Sequence, residues 1–150
     1  MTTPWRIVTP QTAADFTALY DLRWRLLRAP WGQPRGSERD EHDATAIHAL
    51  VRHAQGELLG TARLHRIDDR CGQIRYMAVQ PEWRGQGIGT ALLCWLEDRA
   101  REAGLTEIVL NAREPSVAFY RRLGYEEIGE GPTLFGAIPH RKMRKALATP

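Results

Sequence analysis

Cysteine, long apolar runs and net charge are all scarce in this chain, and each scarcity excludes a class of protein. The two cysteines, Cys71 and Cys94, are too few for a disulfide framework or a thiolate zinc site. No run of residues approaches the ~20 apolar positions that a membrane-spanning helix needs. The N-terminal residues also lack the apolar stretch of a signal peptide. We therefore expect a cytoplasmic protein with no membrane partner.

The charge pattern argues against a nucleic-acid partner. The net charge is only +3, and seven of the 21 Lys and Arg residues form two short clusters, within 23–28 and 141–145. Such clusters are typical of solvated faces, and they are not interleaved with aromatic residues in a reader motif. The histidines do not show the close spacing of zinc ligands. We expect no nucleic-acid partner and no metal.

Length and periodicity predict one α+β domain. The 150 residues, 43% of them hydrophobic, suit a single domain spanning 1–150 with one core. Apolar periodicity and turn residues predict the order β-α-β-β-β-α-β-α-β-β. Hairpins combined with one crossover indicate a mixed sheet. The predicted elements are strands at 5–8, 46–54, 58–66, 73–79, 106–110, 125–128 and 134–143, and helices after Thr12, after the glycines at 85–89 and after Pro115.

Three local expectations accompany these elements. Thr12 and Asp15 have the spacing of a capping box at the first helix. On the second helix we expect Glu97 on the polar face and Cys94 as a small core residue. The apolar end of the strand at 73–79 predicts burial on both of its faces.

The most informative segment is Arg84-Gly85-Gln86-Gly87-Ile88-Gly89, between a predicted strand and a predicted helix. Glycines there expose backbone N–H groups where a helix leaves its first donors unpaired, and the helix dipole adds partial positive charge. Such a segment is a site for an anion, most often a phosphate. Its G-x-G-x-G spacing matches neither a P-loop nor a dinucleotide fingerprint. Taken alone, it is equally consistent with a flexible turn that caps a helix.

Together with the element order, four segments resemble the GNAT superfamily of acyl-CoA-dependent N-acetyltransferases. The segments are Met77-Ala78-Val79, Arg84 to Gly89, Asn111-Ala112-Arg113, and Phe119-Tyr120-Arg121-Arg122-Leu123-Gly124-Tyr125. The resemblance covers about residues 5 to 145. It implies a mixed sheet of about seven strands flanked by about four helices, with strands four and five splayed apart and acetyl-CoA in the gap.

The resemblance also implies a set of cofactor contacts. The main chain of Met77 and Val79 would bond the pantetheine arm as a neighbouring strand would, and N–H groups of residues 86–90 would hold the pyrophosphate. Arg84 would add positive charge there. The cofactor-binding residues implied are Met77, Ala78, Val79, Arg84, Gly85, Gln86, Gly87, Ile88, Gly89, Thr90, Asn111, Arg113 and Tyr120.

By the same resemblance, Tyr120 is the catalytic residue, whose hydroxyl would protonate the departing CoA thiolate. The alternative is a half-buried aromatic that only packs. The Val79 N–H would stabilise the oxyanion. One departure is Arg113, which stands where many members have asparagine, with Asn111 two residues earlier. It leaves open whether Arg113 approaches a cofactor phosphate or faces solvent.

A second departure concerns the general base. Some members carry a glutamate where this chain has Gln73, which cannot take up a proton. Four residues are candidates to replace it, and each is also explained as an ordinary polar residue. They are Glu41, His42, Asp43 and His140.

The acceptor side of the site is the least defined. In this family the first helix, the loop after it and the last hairpin enclose the acceptor. Here these elements contribute Trp24, Arg28, Trp31, Glu41 and His140, and we expect Trp31, Glu41 and His140 to bind the substrate. We expect direct acetyl transfer to an amine without a covalent enzyme intermediate, with a small molecule favoured over a protein. The alternative is a non-catalytic module that binds CoA or a partner on the same fold. A homodimer is permitted.

Overall fold

The structure is a computed structural model that describes residues 3–148; the first two and last two positions of the predicted domain lie outside the described residues. The predicted order of strands and α-helices is confirmed. The strands are β1 (Trp5–Val8), β2 (Ile47–His53), β3 (Leu58–Arg66), β4 (Cys71–Val79), β5 (Glu107–Arg113), β6 (Glu126–Leu134) and β7 (Ile138–Ala146), and the helices are α1 (Ala13–Leu27), α2 (Ile88–Glu102) and α3 (Val117–Arg122).

The described residues thus form three α-helices, where about four were expected. Between α1 and β2 the chain makes only short 3₁₀ turns, at Ala29–Trp31 and Glu41–Ala44. Pro30 and Pro34 lie in this segment, and proline interrupts the hydrogen bonding of a continuing helix. The segment is therefore an irregular wall beside the sheet. No helix among residues 3–148 is long and apolar enough to cross a membrane.

The seven strands form one mixed sheet in the order β1-β2-β3-β4-β5-β7-β6. Every neighbouring pair is antiparallel except β4 and β5, which are parallel. The parallel pair is joined by the crossover helix α2, because parallel strands cannot be connected by a hairpin. The α+β class and the mixed sheet predicted from the sequence are confirmed.

The main apolar core lies between α2 and one face of the sheet. Leucines of α2 at 92, 93 and 96 are completely buried against apolar residues of β2 to β5. The predicted polar position of Glu97 is wrong: it is buried, and it accepts hydrogen bonds from Tyr125 Oη at 2.8 Å and Lys145 Nζ at 3.0 Å. The predicted burial of Cys94 is also wrong, since its side chain is exposed. Contacts with Tyr125 and Lys145, which are distant in sequence, decide the position of Glu97, and helical periodicity does not contain them.

Helix α1 covers the opposite face of the sheet. Phe16 of α1 packs on His48 of β2 at 5.6 Å between ring centroids, whereas the neighbouring Ala49 belongs to the core under α2. Successive residues of a strand point to opposite faces. The capping box of Thr12 and Asp15 at the start of α1 is confirmed.

Two strand predictions are corrected. Strand β4 was expected to be buried on both faces, but its residues alternate between buried and partly exposed. Met77, Ala78 and Val79 at the end of β4 line a cavity. Strand β6 continues through the predicted loop at 129–133 with two irregularities in its register against β7. Bulges of this kind let a strand contain glycine and proline without ending.

Candidate functional site

Strands β4 and β5 separate halfway along their length. They pair only from Cys71–Ile74 against Glu107–Leu110, yet β4 continues to Val79 and β5 to Arg113. The backbone groups of β4 that face β5 beyond residue 74 therefore have no strand partner. A buried backbone donor or acceptor needs a partner, so this opening suits an extended ligand that pairs as a strand would.

A bulge in β4 lies at the start of this separation. The register against β3 passes from Arg63↔Arg75 to Thr61↔Ala78, which leaves one extra residue in β4. Tyr76 lies within it and has a φ of 58°, in the left-handed region that non-glycine residues rarely adopt. Bulges bend a strand and re-aim its side chains. Beyond the bulge, β4 diverges from β5.

The glycine segment forms the far end of the opening. Gly85 and Gly87 have φ of 77° and 85°, and Gly87 is the N-cap of α2. Ala91 donates to the Gly87 carbonyl at 3.0 Å, whereas no backbone N–H of residues 85–90 donates to another described residue. These unpaired N–H groups lie at the N-terminus of a 15-residue helix, where the positive end of the helix dipole also lies. The arrangement can hold a phosphate or pyrophosphate.

A cavity of about 670 Å³ joins the split strands to the glycine segment; we call it the donor cavity. The predicted cofactor residues that line it are Met77, Ala78, Val79, Arg84, Gly85, Gly87, Ile88, Gly89, Thr90, Arg113 and Tyr120. Asn111 lines a neighbouring cavity instead, and Gln86 lies on the glycine segment without lining the cavity. Sequence reasoning missed the apolar walls formed by Leu26, Leu27, Trp83, Pro115 and Phe119.

The backbone of Val79 faces the opening. Gln80 N donates to the Leu59 carbonyl of β3 at 2.8 Å, so by strand alternation the groups of Val79 point away from β3. The Val79 carbonyl accepts a hydrogen bond from Arg84 Nε at 3.1 Å. That bond holds the Arg84 side chain in the wall of the donor cavity.

Tyr120 of α3 stands in the wall of the donor cavity. Its hydroxyl lies 3.5 Å from Met77 Sδ, which is a weak acceptor. Burial raises the pKa of Tyr120 to about 12, since the phenolate would lose its hydration. The hydroxyl therefore remains protonated at neutral pH and can donate a hydrogen bond or a proton.

A second cavity, of about 290 Å³, lies between the end of α1, strand β4 and the β6–β7 hairpin; we call it the acceptor cavity. It shares Leu27, Met77 and Arg113 with the donor cavity, so the two meet at Met77. Of the three residues predicted to bind the substrate, Trp31 and His140 line the acceptor cavity, whereas Glu41 lines neither cavity.

Of the four candidate bases, only His140 lines the acceptor cavity. Its Nδ1 lies 2.9 Å from the Ile138 carbonyl, which can only accept. Nδ1 therefore carries the proton in that bond, and Nε2 of the neutral ring is left with a free lone pair. The side chain of Glu41 is 83% exposed, and His42 stacks on His65 at 4.1 Å between ring centroids.

Asp43, the fourth candidate, belongs to a buried ionic cluster behind β4. Its Oδ1 accepts from Arg23 Nη1 at 2.9 Å and from Arg63 Nη1 at 3.1 Å. Burial acts to raise the pKa of Asp43, but the Asp40 N–H and the Arg23 guanidinium outweigh it and hold that pKa below its ordinary value. Asp43 is thus a fixed carboxylate that positions arginines.

The ionic cluster encloses the ring of Tyr76. The guanidinium carbons of Arg23, Arg63 and Arg75 lie 4.2, 4.8 and 4.6 Å from its centroid. Sequence reasoning missed Arg75 and Tyr76, because the bulge that brings both into the acceptor cavity has no local signature. Within residues 3–148, no group of three His, Cys, Asp or Glu side chains could hold a metal ion.

Comparison with known proteins assigns this geometry to a family. Residues 16–125 match the acetyltransferase (GNAT) family. Similar solved structures include an acetyltransferase of the GNAT family from Staphylococcus aureus Mu50 (20% identity, 96% of this chain and 99% of that one, TM-score 0.79). An acyl-CoA N-acyltransferase from Pseudomonas aeruginosa is 26% identical over 95% of this chain and 98% of that one (TM-score 0.80). An aminoglycoside 6′-N-acetyltransferase complexed with coenzyme A is 20% identical over 97% and 98% (TM-score 0.77).

Proposed function

The chain belongs to the GNAT acetyltransferase family, and from this premise we propose that it transfers an acetyl group from acetyl-CoA directly to an amine. The observation that carries the proposal is the divergence of β4 from β5, with unpaired amides of residues 85–90 at its far end. An extended pantetheine arm and a diphosphate have the shape and charge that these groups fit. The backbone of Met77 and Val79 would hold the arm.

The residues around the junction of the cavities have complementary roles in the transfer. The amine nitrogen forms a bond to the acetyl carbon, and the bond from that carbon to sulfur breaks. His140 Nε2 takes the proton that the amine loses, and Tyr120 gives its proton to the thiolate that leaves. The Val79 N–H faces the developing oxyanion. Tyr120 then recovers a proton from solvent.

The size of the acceptor cavity supports a small acceptor. Its volume of about 290 Å³ is at the lower end of the range for small-molecule sites. Leu134 and Phe135 of the hairpin between β6 and β7 close one side of it. A small amine fills this space without requiring the hairpin to move.

One observation favours a second candidate, a CoA-binding module without catalysis. Gln73 lines the acceptor cavity where some members of the family carry a glutamate, and an amide cannot act as a base. His140 supplies an alternative base, which is why we favour the enzyme.

Two measurements test the proposal. Calorimetry should detect binding of acetyl-CoA to the folded protein, and a panel of amines should include at least one that accelerates release of the CoA thiol. Binding of acetyl-CoA without acceleration by any amine would identify the non-catalytic module. Absence of binding would refute both candidates.

A further inference from the structure

The acceptor cavity is lined by cations without carboxylates. Arg28, Arg75 and Arg113 all contribute to its wall. No Asp or Glu among the described residues lines it; Glu130 lines only a separate cavity beyond Gln73 and Asn111. An amine that enters this cavity therefore meets positive charge.

Hydrogen bonds hold the Arg28 side chain in place, but no carboxylate of the described residues neutralises its charge. It is only 7% exposed, and its Nε and Nη1 donate to the carbonyls of Ser37 and Leu27 at 3.1 and 3.2 Å. Both acceptors are neutral backbone groups, and no carboxylate of the described residues lies within ion-pair distance of Arg28. Its positive charge is thus available to a ligand, in a partly dry place where an ionic bond is strong.

Arg75 is only partly neutralised. Its Nη1 lies 3.0 Å from Asp40 Oδ2, but Asp40 also receives two hydrogen bonds from Arg63. Asp43 in turn is shared between Arg63 and Arg23. Three arginines therefore share two aspartates behind the cavity wall, and neither aspartate lines the cavity. The wall as a whole retains positive charge.

A second positive charge on the acceptor would be repelled here, and a negative one would be bound. Arginine presents paired N–H donors that match a carboxylate. The cavity volume fits a molecule of the size of an amino acid. Arg28 and Arg75 lie outside the donor cavity, so an anion bound to them does not compete with the CoA phosphates for the amides of residues 85–90.

We propose that the acceptor is a small primary amine that carries a carboxylate, and that Arg28 and Arg75 bind this carboxylate. This inference rests on the proposed acetyl transfer for its chemistry. It names the class of substrate: amino acids and related amino carboxylates, and not polycationic amines.

Matched acceptors test the proposal directly. Thiol release is measured with phenylalanine, phenylalaninamide and phenethylamine, and with further amino acids of other side chains, each beside its amide; spermidine serves as the polycation. We expect kcat/KM for the best amino acid to exceed that for its amide at least tenfold, with spermidine the poorest. Equal or better turnover of the amides or of spermidine would overturn the proposal.

Variants then locate the carboxylate site. In Arg75→Gln, KM for the best amino acid should rise at least fivefold while KM for its amide stays nearly constant, because only the carboxylate loses a partner. Arg28→Lys should give a similar but smaller rise in KM for the amino acid. This substitution keeps a positive charge at the buried position. Arg25→Gln is the control: Arg25 lies in α1, three residues before Arg28, is 47% exposed and lines neither cavity. A parallel loss for amino acid and amide in Arg75→Gln would assign Arg75 a purely structural role.

Binding provides a readout that does not depend on turnover. The same amino acids and amides are titrated calorimetrically into the CoA-saturated protein and into Arg75→Gln. If no amine is acetylated but an amino acid binds the parent at least fivefold more tightly than the variant, the acetyl-transfer proposal fails and the carboxylate site stands. If no amino acid binds more tightly than its amide, the carboxylate site fails whatever the activity.

Discussion

Replacing Tyr120 with phenylalanine tests the catalytic half of the site. The substitution removes one hydroxyl whose only hydrogen bond among the described residues is to Met77 Sδ at 3.5 Å. A thioether is a weak acceptor, so the unfolding free energy should change by less than about 1 kcal/mol. The ring contacts with Phe119 and Tyr125, at 5.0 and 5.9 Å between centroids, remain. The variant therefore reports on chemistry and not on folding.

The size of the rate loss follows from the acidity of the phenol. A positioned general acid contributes about 10²–10⁴ in rate. The pKa of Tyr120 is raised to about 12, whereas an ordinary thiol has a pKa of about 8.5. Proton transfer from Tyr120 to a thiolate is thus uphill, and its contribution belongs at the lower end of that range. We expect kcat of Tyr120→Phe to fall about 100-fold, or about 3 kcal/mol in barrier.

The assay measures thiol release at saturating acetyl-CoA and, separately, the affinity for CoA by calorimetry. Cys94 is exposed, so a reaction without acceptor corrects for its thiol. Affinity should change by no more than about threefold, because the hydroxyl acts on the leaving group. Tyr20→Phe is the matched control, since Tyr20 lines neither cavity. Equal kcat in parent and Tyr120→Phe would remove Tyr120 from the acid role.

The pH profile offers an independent check on the same residue. An acid must be protonated to act, and a pKa near 12 keeps Tyr120 protonated beyond the ordinary value of 10.0. Activity should therefore show no loss assignable to Tyr120 up to about pH 10. A decline between pH 8 and 9 that disappears in Tyr120→Phe would contradict the raised pKa.

Three further substitutions probe the base, the phosphate site and the ionic cluster. His140→Gln removes the free imidazole nitrogen and should lower kcat at least 100-fold with CoA affinity unchanged in calorimetry; unaltered kcat would exclude it as the base. Gly87→Ala places a side chain at φ 85° and costs about 1 kcal/mol of strain, so CoA should bind several-fold more weakly. Gly56→Ala, at φ 100° in the β2–β3 turn, is the control and should leave CoA affinity unchanged. Equal losses of CoA affinity in the two variants would show that the conformation of Gly87 has no specific role in binding. Asp43→Asn removes the carboxylate charge that two buried arginines share, and should reduce the unfolding free energy measured in urea by about 3 kcal/mol or more. The control Asp21→Asn, at an exposed position, should reduce it by about 1 kcal/mol or less. Because the folded pKa of Asp43 is lowered, its contribution is present above its unfolded value of 3.8 and is lost as pH falls below that value, so the difference between Asp43→Asn and the parent should shrink in acid.

Most of the residues that the sequence predicted to bind the cofactor line the donor cavity, because most of them come from two segments that are close in sequence. Residues 77–79 end a strand, and residues 84–90 lead into the next helix. The strand pattern, the glycines and the start of the helix therefore all indicate the same site. The same proximity in sequence explains why the element order was confirmed. Asn111 is the informative exception: it lies on β5, and its neighbours depend on how far β5 diverges from β4.

The acceptor cavity was predicted poorly because distant segments assemble it. Trp31 follows α1, Arg75 is in β4, and His140 comes from the last strand. Local patterns carry no information on which of these side chains share a cavity. Glu41 illustrates the limit: the sequence places it in the loop after α1, but the 3₁₀ turn at Glu41–Ala44 directs its side chain to solvent.

The bulge at Tyr76 links the two cavities through one strand. It lies where β4 turns from β5, and it places Arg75 and Tyr76 together in the acceptor wall while Met77 lines both cavities. A substitution that removes the left-handed conformation of Tyr76 would shift the register of β4 and disturb donor and acceptor sites together. Arg28 directly follows α1 and lines only the acceptor cavity. Changes of acceptor preference without loss of CoA affinity are therefore expected for side-chain substitutions at Arg28 and Arg75, and not for substitutions at Tyr76 that remove its left-handed conformation.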